Sequence, residues 1–358
     1  MPVFVDKLAW KVKEKSDFLR QTLKEEAERE EVELKREVVR HWHPLPSRAS
    51  ESRPAFAVDG SLQEIHLANG ALLFIAQALF LGENFEATDV DVEILRGTVR
   101  PSTLRRFSDL FRQNLEVGLA QRCLPRIPRG SILFLDGALY GQLPQLYPLH
   151  LEGYQGPDLP RRILDGYLAL FQACAEDGLL LIAVAKSSHE AILTEIIGRR
   201  EGLPFPTSIP DSEAFTRWTK GQPGFSTPVV LGRRGFGGRF YELLESPDLK
   251  SAPAIVSFFV RLLPDDDVMR VDVPACCLGL RTKLADVEEE LAEADLVRPI
   301  LEVLRAECGG YRLYNTLLHS ADRQVRLDGR TTREVYLRVI ERELGCRLPV
   351  SRGDKRFL

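Results

Sequence analysis

Two short segments of this chain share one design, and together they narrow the folds open to it. Phe56-Ala57-Val58-Asp59-Gly60-Ser61 and Ser131-Ile132-Leu133-Phe134-Leu135-Asp136-Gly137 each run an apolar stretch into an aspartate and a glycine. A run that is apolar on both alternating faces reads as a strand covered on both sides. The Asp-Gly pair then reads as the strand's end. Side by side, two such strands hold two carboxylates a few ångströms apart. That arrangement is unfavourable without a counter-charge and suits one or two divalent cations. The plain alternative for each is a strand-to-turn aspartate, since Asp-Gly is a common turn dipeptide.

The 358 residues fit one long domain or two. A hydrophobic fraction of 44% is ordinary for a globular chain. The net charge of -4 does not announce a nucleic-acid binder, so a DNA enzyme of this composition is expected to carry a basic channel in an acidic body. None of the six cysteines forms a CxxC or a Cys/His zinc pattern, and they read as reduced thiols of a cytoplasmic protein. The N-terminus is strongly charged from Lys7 onward, unlike a signal peptide. The longest apolar stretch, 70–82, is too short to span a bilayer and contains Gln77, so no membrane segment is expected.

Along the chain, residues 6–43 carry no glycine or proline and read as a helix. It is a packing arm, or a solvated helix held by i,i+4 pairs. A Pro/Ser-rich linker at 44–54 follows. Phe56 to Asp59 reads as a first strand, 61–67 as its return, Asn69-Gly70 as a hairpin turn and 71–81 as the strand back, with 89–95 extending the sheet. Residues 102–120 read as a helix capped by Ser102 or Thr103. Its polar side carries Arg105, Arg106 and Arg112, in the densest basic region, and Glu116 lies among its core positions, where it can point to the sheet. A helix at 162–176 and a strand at 179–184 continue an α/β layer covered on both sides. Lys186 follows at the strand's C-terminal end, placed either for a phosphate or as a surface residue.

Residues 188–197 read as helical and 201–240 as irregular. The latter stretch includes Gly232-Arg233-Arg234-Gly235-Phe236-Gly237-Gly238-Arg239, which is either a basic loop for a phosphate backbone or an exposed hairpin. It lacks the Gly-Lys-Ser/Thr of a P-loop. Strands are expected at 254–263 and 268–273, with a solvated acidic turn at 264–267 between them. Helices are expected at 284–307 and 331–344. Between those helices, His319 and Asp322 share a helix face at i,i+3, a spacing for a metal, a proton relay or a surface contact.

The order of these pieces carries a resemblance. Phe-Ala-Val-Asp-Gly-Ser (56–61), Leu-Glu (115–116), Leu-Phe-Leu-Asp-Gly-Ala-Leu (133–139), Ala-Val-Ala-Lys-Ser-Ser (183–188), Arg-Val-Asp-Val-Pro (270–274) and Tyr…Leu-Leu-His-Ser-Ala-Asp (314–322) together resemble the NurA family of DNA double-strand break repair nucleases, over about 50–346. The resemblance implies an α/β, ribonuclease H-like mixed sheet flanked by helices, with a long N-terminal helical arm. Its divisions are an arm and linker at 1–48, a nuclease domain at 49–346 and a tail at 347–358. It implies a metal-dependent 5′-to-3′ exonuclease and single-strand endonuclease using Mn2+ or Mg2+, with two ions per site. It further implies a homodimer that works on DNA with a hexameric HerA-type ATPase translocase in end resection.

Carried over by motif, Asp59, Glu116 and Asp136 match the acidic metal ligands; for a two-cation hydrolysis Asp59 is assigned here as the bridging one. Lys186 matches the basic residue after the later strand. The last ligand position falls on Asp322, with His319 as rival; many members have histidine preceded by alanine, where this chain reads Ser320-Ala321-Asp322. The Tyr-Pro usual before it is Tyr314-Asn315 here. Arg105, Arg106, Arg112, Lys186, Arg233 and Arg234 are the expected DNA contacts. Two alternatives stay open: another ribonuclease H-like metal nuclease, and a non-catalytic adaptor of a DNA translocase.

Overall fold

The computed structural model describes residues 3–19, 28–47, 53–96, 99–151, 154–186, 188–202, 209–236 and 246–351. Residues 20–27 of the expected arm, Ser50 and Ser52 of the linker, Ser187, the Gly237-Gly238-Arg239 end of the glycine-rich segment and tail positions 352–358 lie outside the described residues. The chain divides into two compact units. One gathers residues 1–42 and 189–220; the other holds 43–188 and 221–358.

In the first unit the helix Glu28–Arg40 packs on the helices Ile192–Arg200 and Asp211–Trp218. Leu34, Val38, Leu193, Phe215 and Trp218 are buried there. The Asp211 carboxylate is buried too, and accepts from Leu193 N, Thr194 N and Thr194 Oγ at 2.8 Å each. It thereby satisfies N–H groups of a neighbouring helix start that carries no side-chain cap of its own. The helix Asp211–Trp218 falls where the sequence read irregular chain, because eight residues are too few for a clear period. The first helix, Val3–Glu14, leaves Phe4, Leu8 and Trp10 exposed.

The second unit is built on one sheet. Three antiparallel strands come first: β1 (Ala55–His66), β2 (Leu72–Gly82) and β3 (Phe85–Leu95). Helix α1 (Pro101–Cys123) leads to β4 (Ile132–Asp136), and α2 (Leu159–Glu176) leads to β5 (Leu180–Ala185). Then come β6 (Gly224–Ser226), β7 (Val229–Leu231), β8 (Ile255–Arg261), β9 (Met269–Pro274) and β10 (Glu289–Leu291). Helices α3 (Arg298–Glu307), α4 (Thr316–Val325) and α5 (Leu337–Leu344) follow. The order runs β6–β8–β9–β5–β4–β1–β2–β3, with β7 pairing β8 and β10. β4 lies parallel to both β1 and β5, and the other pairings are antiparallel.

This is the mixed, ribonuclease H-like sheet the sequence implied, with helices on both faces. On one face α3 and α4 bury Ile300, Leu301, Leu304, Leu318 and Ala321 against Ala57, Phe134, Ile182 and Val271. On the other, α1 places Phe107 edge-on to Phe74, and α2 meets α1 where Gly166 passes Val117. Each large apolar side chain removed from water in this way contributes about 1.5–3 kcal/mol. The cysteines of this fold are all free thiols.

Three local expectations change. β1 does not end at Asp59-Gly60: it is one 12-residue strand, and its return begins only after the turn at Asn69-Gly70. Glycine in an extended conformation fits a ladder, so Asp-Gly breaks a strand only where the glycine takes positive φ, as Gly137 does at +105°. Helix α1 starts at Pro101, with Arg100 as an uncapped first position, so neither Ser102 nor Thr103 caps it. The stretch 284–307 is helical only from Arg298; before that it supplies the edge strand β10.

Candidate active site

The register of β1 and β4 creates the site. Ala55 pairs with Ile132 and Val58 with Leu135, so the next step sets Asp59 beside Asp136 on neighbouring parallel strands. There β4 stops, at Gly137, while β1 continues through His66 paired only with β2. The unpaired flank of β1 past Asp59 is the floor of a cleft of about 650 Å³ lined by Asp59, Gly60, Ser61, Glu64, Arg105, Ser108, Asp109, Arg112, Asp136 and Asp322. A smaller hollow of about 170 Å³, sharing Asp109, Arg112 and Asp136, adds Glu116, Gln142 and Tyr167.

Helix α1 supplies one wall. Arg105, Asp109, Arg112 and Glu116 recur at 4-3-4 spacing, which puts them on one helical face. Glu116 reaches the sheet at Gly60: a Cβ there would lie 2.5 Å from Glu116 Oε1. Arg112 Nη1 donates to that same Oε1. Helix α4 supplies the opposite contribution. Its start is capped by Asn315 Oδ1, which accepts from Leu318 N at 2.8 Å, and it carries Asp322 to the cleft. His319, one turn earlier, is exposed and lines neither hollow. Of the two rival positions, the aspartate is the one that faces the site.

The electrostatics follow from this crowding. Burial pushes the pKa of Asp59 up to about 7, and the negative charges of Glu116, Asp136 and Asp322 add to that rise, against the Gly60 N–H, which donates at 2.8 Å. Burial also raises Glu116, against the pull of Arg112. Lys186 donates to Asp136 Oδ2 at 2.8 Å. Burial disfavours the Lys186 ammonium, but the pair with Asp136 outweighs it and holds the lysine above its usual value. Tyr314 lies beside this pair, its ring centroid 5.7 Å from Lys186 Nζ.

Asp59, Glu116, Asp136, Lys186 and Asp322, far apart in the chain, therefore meet. Glu64 and Asp109 line the same cleft and escaped the sequence reading. Asp109 was legible in the 4-3-4 stripe; Glu64 depends on β1 running on past Asp59. The arginines divide. Arg105 and Arg112 line the cleft. Arg106, expected beside them, does not. One position round the helix, it donates to the carbonyls of Gln145, Tyr147 and Pro148 and stacks 3.5 Å over the Tyr147 ring. Arg233 and Arg234 line neither hollow and pair with Glu288 and Glu289.

Six carboxylates face the hollows, with two arginines beside them. Carboxylate oxygens are the donors that Mg2+ and Mn2+ take, and Asp59 is buried with other carboxylates around it. Chemically the residues fit a divalent cation. Among the described residues no three are gathered into a coordination shell, since Glu116 is turned to Arg112 and Asp136 to Lys186.

Comparison with known proteins agrees with this geometry. Residues 53–327 match the family model of the NurA domain. Among solved structures, the chain is similar to the NurA nuclease from Sulfolobus solfataricus, at 15% identity over 96% of this chain and 98% of that one, with a TM-score of 0.61. It is also similar to a NurA bound to dAMP and manganese, at 14% identity over 92% and 97%, with a TM-score of 0.57. At such identities the likeness establishes the fold. A comparison with curated protein sequences found no match.

Proposed function

This chain belongs to the NurA family, and on that premise we propose that it is a metal-dependent DNA nuclease acting in the repair of double-strand breaks. The observation that carries the reading is the convergence of Asp59, Glu116, Asp136 and Asp322 on one cleft. Residues 49–346 form the nuclease domain in this reading, with 1–48 as an arm and linker and 347–358 as a tail. The finer activity is that of the family resemblance: 5′-to-3′ exonuclease and single-strand endonuclease action during end resection. The protein would act as a homodimer with a HerA-type hexameric ATPase translocase.

Asp59, Asp136, Glu116 and Asp322 would hold Mn2+ or Mg2+, which when bound activates water and neutralises the phosphate and the leaving oxygen. Lys186, on its ion pair with Asp136, stands where a phosphate over that carboxylate can take its ammonium. Arg112 supplies a fixed cation on the α1 wall. Exposed Arg105 meets the DNA backbone at the rim and reads no sequence. In this reading Asp322, which lies in the cleft, and not His319, which lies outside it, stands at the reacting centre.

The test is release of nucleotides from end-labelled linear DNA in Mn2+, Mg2+ or EDTA, by the native chain and by Asp59→Asn. Metal-dependent cleavage that vanishes in the variant supports the reading. No cleavage in any metal, even with the partner ATPase and ATP present, overturns it in favour of a non-catalytic adaptor. Cutting confined to RNA–DNA hybrids points to another ribonuclease H-like enzyme.

A further inference from the structure

Past Asp136 the chain turns at Gly137 and enters a helical turn, Leu139–Gln142, whose Leu139 and Gln142 line the smaller hollow. Gly137 N bonds back to Val184 O at 2.9 Å, which ties the turn to β5. Its other end is tied by Tyr140, whose N–H donates to Asp272 Oδ2 at 2.9 Å. Asp272 lies wholly buried in β9, and its Oδ1 accepts from Arg270 Nε at 2.8 Å. The same Nε is 3.0 Å from Ser257 Oγ. An ion pair this deep adds little net stability over apolar packing. What it provides is an acceptor fixed in the sheet, aimed at one backbone N–H.

The Tyr140 hydroxyl faces the other way. It donates to Gly232 O at 2.8 Å and accepts from Gly235 N at 2.7 Å. The loop passes so close that a Cβ on Gly235 would lie 3.2 Å from that hydroxyl and 3.1 Å from Pro144. Buried Phe236 closes edge-on against the same ring, at 6.5 Å and 80°. Within this loop Arg233 is half exposed and meets the exposed Glu288 only at 3.7 Å, a contact of little energy.

We propose that Tyr140 is a positioning residue for DNA: it joins the turn that follows Asp136 to the loop that carries Arg233, so that Arg233 is presented to the phosphate backbone at a fixed place. The proposal rests on the nuclease reading above. Tyr140→Phe keeps the ring and the N–H to Asp272 and removes only the bridging hydroxyl. Expected are a rise of about fivefold in KM for single-stranded DNA, with kcat within about twofold. Arg233→Ala raises KM similarly, and the double variant is no worse than either single one, because the two residues act as a unit. Amide exchange of residues 232–236 quickens in Tyr140→Phe.

An unchanged KM, additive effects in the double variant, or a kcat that falls in step with Tm overturns the proposal. Failure of the nuclease reading shows separately, as a native chain that cuts nothing with Mn2+. The same variants are then compared by binding of a single-stranded oligonucleotide, where an affinity untouched by Tyr140→Phe overturns the positioning role.

Discussion

Gly60 and Asp59 show how tightly single residues are constrained here. Glycine at position 60 lets Glu116 approach the strand, so Gly60→Ala pushes that carboxylate aside. Only the far end of a flexible side chain must move, so the expected outcome is an intact fold, unchanged by circular dichroism, and cleavage reduced by about tenfold or more, the scale of a misplaced catalytic group. Asp59 makes a pH prediction. Its folded pKa of about 7 stands above the ordinary 3.8, so the folded chain holds this proton more tightly than the unfolded one. Stability of the metal-free protein therefore falls as pH rises from 3.8 to about 7 and stays low above that. Asp59→Asn should abolish cleavage yet raise the metal-free Tm at pH 8 by a few degrees, an effect read by calorimetry in EDTA. A Tm that drops in the variant would falsify the account of Asp59 as a strained, uncompensated charge.

Helix α1 carries the contrast that matters at the level of elements. Arg105 and Arg106 are adjacent in sequence, and a helix sends adjacent residues about 100° apart. Arg105→Ala should weaken DNA binding and lower the salt slope by about one unit, the signature of a single lost phosphate contact. Arg106→Ala should leave both unchanged and make the 145–151 segment more sensitive to protease, because three carbonyls lose their donor. Equal losses of DNA affinity in the two variants would contradict this division. The sequence patterns carried the strands β4, β5, β8 and β9, whose apolar runs are unambiguous. They also carried Asp59, Asp136 and Glu116 as a group. They did not carry the end of β1, which is set by where a different strand stops, nor Glu64, whose place in the cleft follows from that. Choosing between His319 and Asp322 also needed the structure: the two share a face by spacing, and only the packing of α4 on β1 and β2 turns one to the cleft.

At the scale of the molecule, the mild net acidity of -4 extends into the site. The cleft is itself acidic, with Arg105, Arg112 and Lys186 against six carboxylates. DNA should therefore bind poorly without metal: anisotropy with a single-stranded oligonucleotide is expected to show affinity falling about tenfold or more in EDTA, from like-charge repulsion. Metal-independent affinity would mean that the strand is held elsewhere. Among the described residues no helix is long and apolar enough to cross a membrane. Phe4, Leu8, Trp10 and Phe18 of the N-terminal helical segment are exposed, an apolar surface that the proposed second copy would cover. Deleting residues 1–19 should leave Tm within about 2 °C, since little burial is lost. On the proposed homodimer, it should also convert the solution mass to a monomeric one by light scattering. A truncated chain that remains dimeric places the interface elsewhere.

The continuation of β1 beyond Asp59 also bears on how such a chain can change over time. A catalytic group on a loop can drift as the loop gains or loses residues. Asp59 cannot, because it lies inside a ladder paired on both sides up to Val58. One residue inserted between Ala55 and Val58 would turn Asp59 to the opposite face of the sheet, away from Asp136 and Asp322. The hairpin tip at Asn69-Gly70 is free of that restriction. Length variation in relatives, and any engineered tag or sensor, therefore belongs at the tip of that hairpin, while the half of it that holds the aspartate keeps its count.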